Sequence, residues 1–224
     1  MERVSVIEGD SPFLLICPHG ADDVGTAELT EATAGEIDAS AIINRGWKKS
    51  HKFDYWKEHA NCNNIRHLLD DEVLQEEFLD PIIRHTTRIE KDFGFVNVFI
   101  LHGVGNQVDK DLDIIIGYGA GNPPSHSCKL LFKDAFVYYL DRIGFEVWQG
   151  KAGGLYSGKA KYNINQLYRR WYPNEHIQSI QIEIVRELRE KDLISTTSSA
   201  LAGCIDDLSD FDDTTDYLVN AKEI

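Results

Sequence analysis

Apolar, strand-like runs alternate along this chain with segments of helical spacing, and that alternation restricts the fold more than any other feature. The runs at 4–7 (VSVI), 13–17 (FLLIC), 41–44 (AIIN), 95–103 (FVNVFILHG), 112–121 (LDIIIGYGAG), 145–149 (FEVWQ) and 177–185 (IQSIQIEIV) read as strands. Helices are expected over 24–37, over 72–93 with Pro81 marking a break or a fresh first turn, and over 128–143. The stretch 46–70 is polar and aromatic and reads as a loop with short helices. Strands interleaved with helices give an α/β class: one domain over 1–224, with a mixed, mostly parallel central sheet flanked by helices. The acidic end, 205–224, is expected to be a solvated segment rather than a cation site.

Charge and cysteine content narrow the classes. A net charge of −14, from 37 acidic against 23 basic side chains, repels phosphate backbones and argues against a nucleic-acid partner. No apolar run approaches the roughly 18 residues of a membrane-spanning helix. The start, MERVSVIEGD, lacks the basic-then-apolar layout of a secretory signal. Cys17, Cys62, Cys128 and Cys204 are far apart and form no CxxC pair, so reduced thiols in a cytoplasm are expected.

In open sheets of this class, ligands gather outside the carboxyl ends of the strands. His19, Asn44 with Arg45, His102 and the Gly117–Gly121 turn all fall at such ends in this reading. Two of them share one setting, an apolar strand followed by His-Gly, as CPHG and ILHG, where glycine lets a metal or substrate approach the backbone. His19 and Asp22 form H-x-x-D at a strand-to-helix corner, and His102 supplies a third ligand from another strand. Two histidines and one carboxylate are what a catalytic zinc takes when a fourth position stays open for water. Asp23 competes with Asp22 for that role, and each histidine also has an ordinary use as a cap or packing residue.

Other residues add to the pattern. The Arg45 guanidinium, with Asn44, is a fork for a substrate carboxylate; a surface salt bridge is the plain alternative. Alternation in SIQIEIV puts Gln181 and Glu183 on one strand face, where a carboxylate must be paired, used chemically or turned to solvent. The segment 153–163, GGLYSGKAKYN, reads as a lid offering Tyr156 and Lys159 to an oxyanion or carboxylate, or as a plain connection. The remaining histidines, 51, 59, 67, 85, 126 and 176, are expected to be solvated or to cap. A nucleotide-binding module using the Gly117–Gly121 turn is a separate reading, weakened because Pro-Pro follows where a helix N-terminus should receive phosphate. No G-x-S-x-G occurs, which removes the usual serine hydrolase signature.

In chain order these motifs run P-H-G-x-D, N-R, a strand ending H-G, then Q-I-E-I. That order resembles the zinc carboxypeptidase-like amidohydrolases, particularly the N-formylglutamate amidohydrolases, across roughly 12–190. GTAE at 25–28 is similar to a stretch of the poly-γ-glutamate depolymerases of the same superfamily. The resemblance implies Zn2+ on His19, Asp22 and His102, with Glu183 as general base and Asn44 and Arg45 on a substrate carboxylate. It implies hydrolysis of an amide in a small N-acylated acidic amino acid or a γ-glutamyl substrate; the acidic surface favours the small substrate over a long polyglutamate. Two departures stand out. The family usually carries H-x-x-E, one methylene longer than Asp22, and its carbonyl-polarising arginine has no clear match among Arg66, Arg169 and Arg170. A carboxypeptidase-like domain that binds without catalysis is the alternative that the short ligand arm favours.

Overall fold

The apolar runs form one sheet. The computed structural model describes residues 3–47, 61–105, 112–120, 126–150 and 156–209. In chain order its elements are β1 (Val4–Ile7), β2 (Phe13–Cys17), α1 (Thr26–Glu36), β3 (Ser40–Asn44), α2 (Ile65–Asp70), α3 (Glu72–Leu74) and α4 (Asp80–Phe93). Then follow β4 (Val96–Val104), β5 (Ile114–Gly117), α5 (Leu130–Arg142), β6 (Val147–Gln149), β7 (Ile177–Val185) and α6 (Ile194–Asp206).

The seven strands lie in the order β1-β3-β2-β4-β7-β5-β6. The core trio β2, β4 and β7 is parallel, as are β2 with β3 and β5 with β6; β1 against β3 and β5 against β7 are antiparallel. The sheet is therefore mixed and mostly parallel, in a single α/β domain. The antiparallel β5 runs from Ile114, opposite Ile184, to Gly117, opposite Gln181. Its glycine turn thus heads away from the edge where β4 and β7 end, contrary to the expectation that all the candidate sites share one edge.

Strand alternation sorts the side chains into two cores. Phe13, Leu15, Phe99, Leu101, Ile180, Ile182 and Ile184 pack on one face with α1, α5 and α6 residues such as Leu29, Phe132, Phe136 and Leu201. Leu14, Ile16, Val98, Ile100 and Ile177 face the other way, onto Ile65, Leu68, Phe78 and Ile82 of the α2–α4 stretch. Toward its C-terminal end β7 turns polar on that second face, with Ser179, Gln181 and Glu183, and there the site is built.

Local signals explain the helix limits. Gly25 adopts φ +83, so α1 starts at Thr26 rather than at Val24. Pro81 sits in the first turn of α4, where its missing N–H costs no helical bond, and a π-turn over Gln75–Leu79 joins α3 to it. Gly94 closes α4 at φ +82 with its N–H on the Glu90 carbonyl. At the acidic end, Ile205 and Leu208 are buried in the core, so the start of that segment belongs to the fold; 210–224 lie outside the described residues.

Candidate metal centre

β2 ends at Cys17, and the chain makes a helical turn before α1 begins. The His19 carbonyl accepts the N–H groups of both Asp22 and Asp23, each at 2.8 Å. One helical turn puts residues i and i+4 on the same side. His19 Nδ1 accordingly lies 4.0 Å from Asp23 Oδ2. The Asp23 carboxylate is also held from the far strand, since Oδ2 accepts the Gly103 N–H at 2.9 Å. His102, one residue before that glycine, brings its ring to 5.0 Å from the His19 ring, at 74°.

Ligand atoms of His19, Asp23 and His102 all lie within 4.8 Å of one another. Asp22 is not in this cluster. Of the two aspartates weighed for the third ligand, Asp23 is the one whose carboxylate is drawn to this cluster, by the Gly103 N–H of the far strand. His19 lies two residues past the end of β2, and His102 lies within β4, two residues before its end.

The donor set suits a divalent metal. Asn61 Oδ1 accepts the Asn63 N–H at 2.8 Å, so that amide atom is the oxygen, and it meets His19 Nε2 at 3.0 Å. An amide oxygen only accepts, so Nε2 carries a proton, and in the neutral ring that leaves the lone pair on Nδ1, the nitrogen 4.0 Å from Asp23 Oδ2. A hydrogen bond on the distal nitrogen is the usual way a ligating imidazole is oriented. His102 is 3% exposed, its Nε2 has no hydrogen-bond partner among the described residues, and burial beside His19 holds its pKa well below the usual histidine value. A buried neutral imidazole with an unsatisfied nitrogen is ready to bind a cation. Asp23 shifts the other way: burial raises its pKa, against the pull of the Gly103 N–H, His19 and Arg189.

Glu183 sits directly opposite His102 in the β4–β7 register, on the same face, with Ile115 of β5 on its other side. It is 7% exposed, and burial, with Asp23 adding to it, pushes its pKa up to about 8. Gln181 donates from Nε2 to Glu183 Oε1 at 2.9 Å, and Asn163 donates to Gln181 Oε1 at 3.2 Å. The carboxyl is therefore held in place and tuned toward neutral pH, not turned to solvent.

Asn44 and Arg45, expected on a substrate carboxylate, are engaged within the fold. Both Asn44 amide hydrogens are used, on the carbonyls of Pro18 at 2.7 Å and Trp47 at 2.8 Å, while Oδ1 accepts the N–H groups of Gly46 and Trp47. Asn44 thus secures the residue before His19. Arg45 turns to α1, pairing with Glu31 at 2.5 Å and Glu28 at 3.7 Å and donating to Ser5 Oγ at 2.9 Å. The surface-pair alternative describes it.

In the 153–163 segment, Tyr156 packs its ring beside Val104, Ile115 and Val185, and its carbonyl accepts from Gln181 at 3.3 Å. Lys159 is half-buried, and no ion pair ties it to another described residue. Of the glycine turn of the nucleotide reading, Gly117 and Gly119 are packed against protein, and Gly121 lies outside the described residues. Gly119 donates its N–H to the Ser157 carbonyl, and a Cβ there would stand 2.9 Å from Ser127 Oγ. The His-Gly glycines likewise admit protein rather than ligand: a Cβ at Gly20 would stand 2.7 Å from the Asn44 carbonyl oxygen, and one at Gly103 would meet the Arg189 guanidinium.

Sequence reasoning missed Asn61 and the two buried histidines His67 and His85. His67 Nδ1 accepts the Asn61 N–H at 3.2 Å and so steadies the loop that orients His19, and His85 is 2% exposed beside Glu8. His51 and His59 lie outside the described residues. No helix among the described residues is long and apolar enough to cross a membrane, and the four cysteines are buried and unpaired.

No family model matches this chain, and no curated protein does. Solved structures match over nearly the whole length. N-formylglutamate amidohydrolase from Ralstonia eutropha JMP134 superposes with a TM-score of 0.63 at 14% identity, over 93% of this chain and 98% of that one. A bacteriophage poly-γ-glutamate hydrolase gives 0.57 at 14% identity, over 91% and 87%. A protein described as YndL in a zinc-free apo form gives 0.51 at 16% identity, over 91% and 88%. The chain therefore has the fold of the N-formylglutamate amidohydrolase and poly-γ-glutamate hydrolase structures, the fold its ordered motifs resemble.

Proposed function

We propose that this chain is a metal-dependent hydrolase of an amide bond, with zinc on His19, Asp23 and His102. The observation that carries the reading is the convergence of these three ligands, from the turn after β2 and from β4, beside a buried, proton-avid Glu183 on β7. The solved structures with this fold support it, since one is an N-formylglutamate amidohydrolase, one a poly-γ-glutamate hydrolase and one is described as zinc-free. A divalent metal held by two imidazoles and one carboxylate supplies a Lewis acid that activates water and polarises a carbonyl oxygen.

The chain's own residues do the rest. Glu183 takes a proton from the attacking water on a carboxylate oxygen and delivers it to the leaving amine nitrogen, so that amide plus water become acid plus amine. With a cation held by the neighbouring ligands, Glu183 would ionise more readily than in the metal-free protein and so would be available as a base near neutral pH. Gln181 fixes the carboxyl by its hydrogen bond to Oε1. Asn61 holds the His19 ring, and Asn44 anchors the Pro18 carbonyl ahead of it. Lys159 is the candidate cation for a substrate carboxylate, and Tyr156 offers an apolar wall.

The substrate class is a small N-acylated acidic amino acid or a γ-glutamyl compound. Metal content of the purified chain, joined to turnover of N-formyl-, N-acyl- and γ-glutamyl-amino acids, tests the proposal. The expected result is one zinc per chain and activity that Glu183→Gln abolishes while the zinc stays bound. A chain that binds no zinc, or full activity in Glu183→Gln, refutes it.

A further inference from the structure

Arg189 lies just past β7 and is 5% exposed. The site chemistry does not use it, yet its guanidinium connects the backbone segments that follow Asp23, His102 and Glu183. Nε donates to the Ile184 carbonyl at 3.0 Å, next to Glu183. NH1 donates to the Val24 carbonyl and to Thr26 Oγ1, the latter at 3.1 Å, on the turn that follows Asp23. NH2 donates to the Val104 carbonyl at 3.1 Å, two residues beyond His102.

Two glycines make room for this arrangement. A Cβ at Gly103 would stand 2.5 Å from NH1 and 2.7 Å from NH2, so only glycine lets the guanidinium lie against that backbone. A Cβ at Gly25 would collide with the Arg189 carbonyl and come within 3.1 Å of its Cβ. The same Gly103 donates its N–H to Asp23 Oδ2. One residue thus accepts the guanidinium on its Cα and aims the ligating carboxylate with its N–H.

We propose that Arg189 is a positioning residue for the metal centre: its fork locks the Asp23–Thr26 turn against the ends of β4 and β7, so that the Asp23 carboxylate meets the two imidazoles in one arrangement. Arginine is needed because its donors spread over a rigid plane and reach three chain segments at once. A lysine ammonium donates from a single point. The positive charge is a secondary contribution, offsetting the burial of Asp23.

The proposal rests on the metal reading above. The test measures zinc affinity of the full chain by competition with a chromophoric chelator, together with the visible absorption of the cobalt-substituted protein and the urea stability of the metal-free form. Arg189→Lys keeps the charge without the fork. Gly103→Ala displaces the fork without touching a ligand side chain. Thr26→Val removes a single hydrogen bond and is nearly isosteric, so it folds if the more disruptive variants do not. Arg189→Lys and Gly103→Ala are expected to lose about 10–100-fold in zinc affinity, the range typical of groups that orient metal ligands, with an altered cobalt spectrum. Thr26→Val is expected to lose roughly 3-fold, in keeping with one modest hydrogen bond. Zinc affinity within twofold of wild type and an unchanged cobalt spectrum, in any of these variants that folds, overturn the assignment of Arg189. Failure of the wild-type chain to bind zinc overturns the metal reading itself, and the two failures are separate results.

Discussion

Glu183→Gln in the metal-free protein isolates the cost of burying that carboxyl. The folded-state pKa is about 8 against an ordinary value of 4.5, with burial the main cause and the Asp23 charge next. A carboxyl with a raised folded pKa binds its proton more tightly in the folded than in the unfolded state. Its contribution to stability is therefore full below about 4.5 and is lost progressively as pH rises toward about 8. Integrating that linkage gives a loss of about 4 kcal/mol by pH 8 at 1.36 kcal/mol per unit. Glutamine has nearly the same shape, stays neutral throughout and can still accept the Gln181 hydrogen bond. The variant should match wild type within about 1 kcal/mol at pH 4.5. At pH 8 it should exceed wild type by about 4 kcal/mol, or on the order of 10 °C in Tm for a chain of this size. Urea unfolding in chelator across that range reads the difference, because titrating groups remote from position 183 cancel between the two proteins and Asp23, whose charge acts on Glu183, adds only a smaller second contribution. Parallel stability curves, offset by a constant, would refute the burial argument. Zinc restored to wild type should shrink the gap, since a cation beside Glu183 favours its ionised form.

Three further outcomes follow from the geometry. Asp23→Asn should weaken zinc binding by at least ~10-fold, since it replaces a charged ligand, whereas Asp22→Asn should leave it within a few-fold; calorimetric zinc titration separates the two. Asn61→Ala removes the acceptor on His19 Nε2 and should cost ~10-fold in zinc affinity; it also takes the acceptor from the Asn63 N–H, so metal-free stability should fall by about 1–3 kcal/mol. Arg45→Gln breaks half-exposed pairs with Glu28 and Glu31 and should cost less than about 1 kcal/mol, with KM unchanged; a raised KM would return Arg45 to the substrate.

What could be read along the chain was what short-range chemistry encodes. Runs such as FLLIC and FVNVFIL declare themselves because both faces of a central strand are buried, and the limits of β1 and β2 were legible to the residue. The shared face of Gln181 and Glu183 followed from strand alternation, and both histidines followed from where apolar runs stop. The choice between Asp22 and Asp23 did not, because it depends on the turn that returns the chain to His19. Nor did the direction of β5, since an antiparallel crossover leaves no local mark. Asn61 and Arg189 act across 42 and 163 residues of chain, on His19 and Thr26 respectively. Nothing in VRELRE distinguishes the buried Arg189 from the exposed Arg186; only the glycine hollow at 103 makes one of them structural. Arg45 is a related case: a fork suits any carboxylate, and within the fold it meets Glu28 and Glu31.

The central claim is that one ion is shared by β2 and β4. A crystal of the zinc-loaded chain, measured on both sides of the zinc absorption edge, tests it most directly. The account predicts a single strong anomalous peak bonded to His19, Asp23 and His102, with His19 coordinating through Nδ1 while Nε2 stays on Asn61. A peak bonded to Asp22 in place of Asp23, or no peak between the two imidazoles, would contradict it.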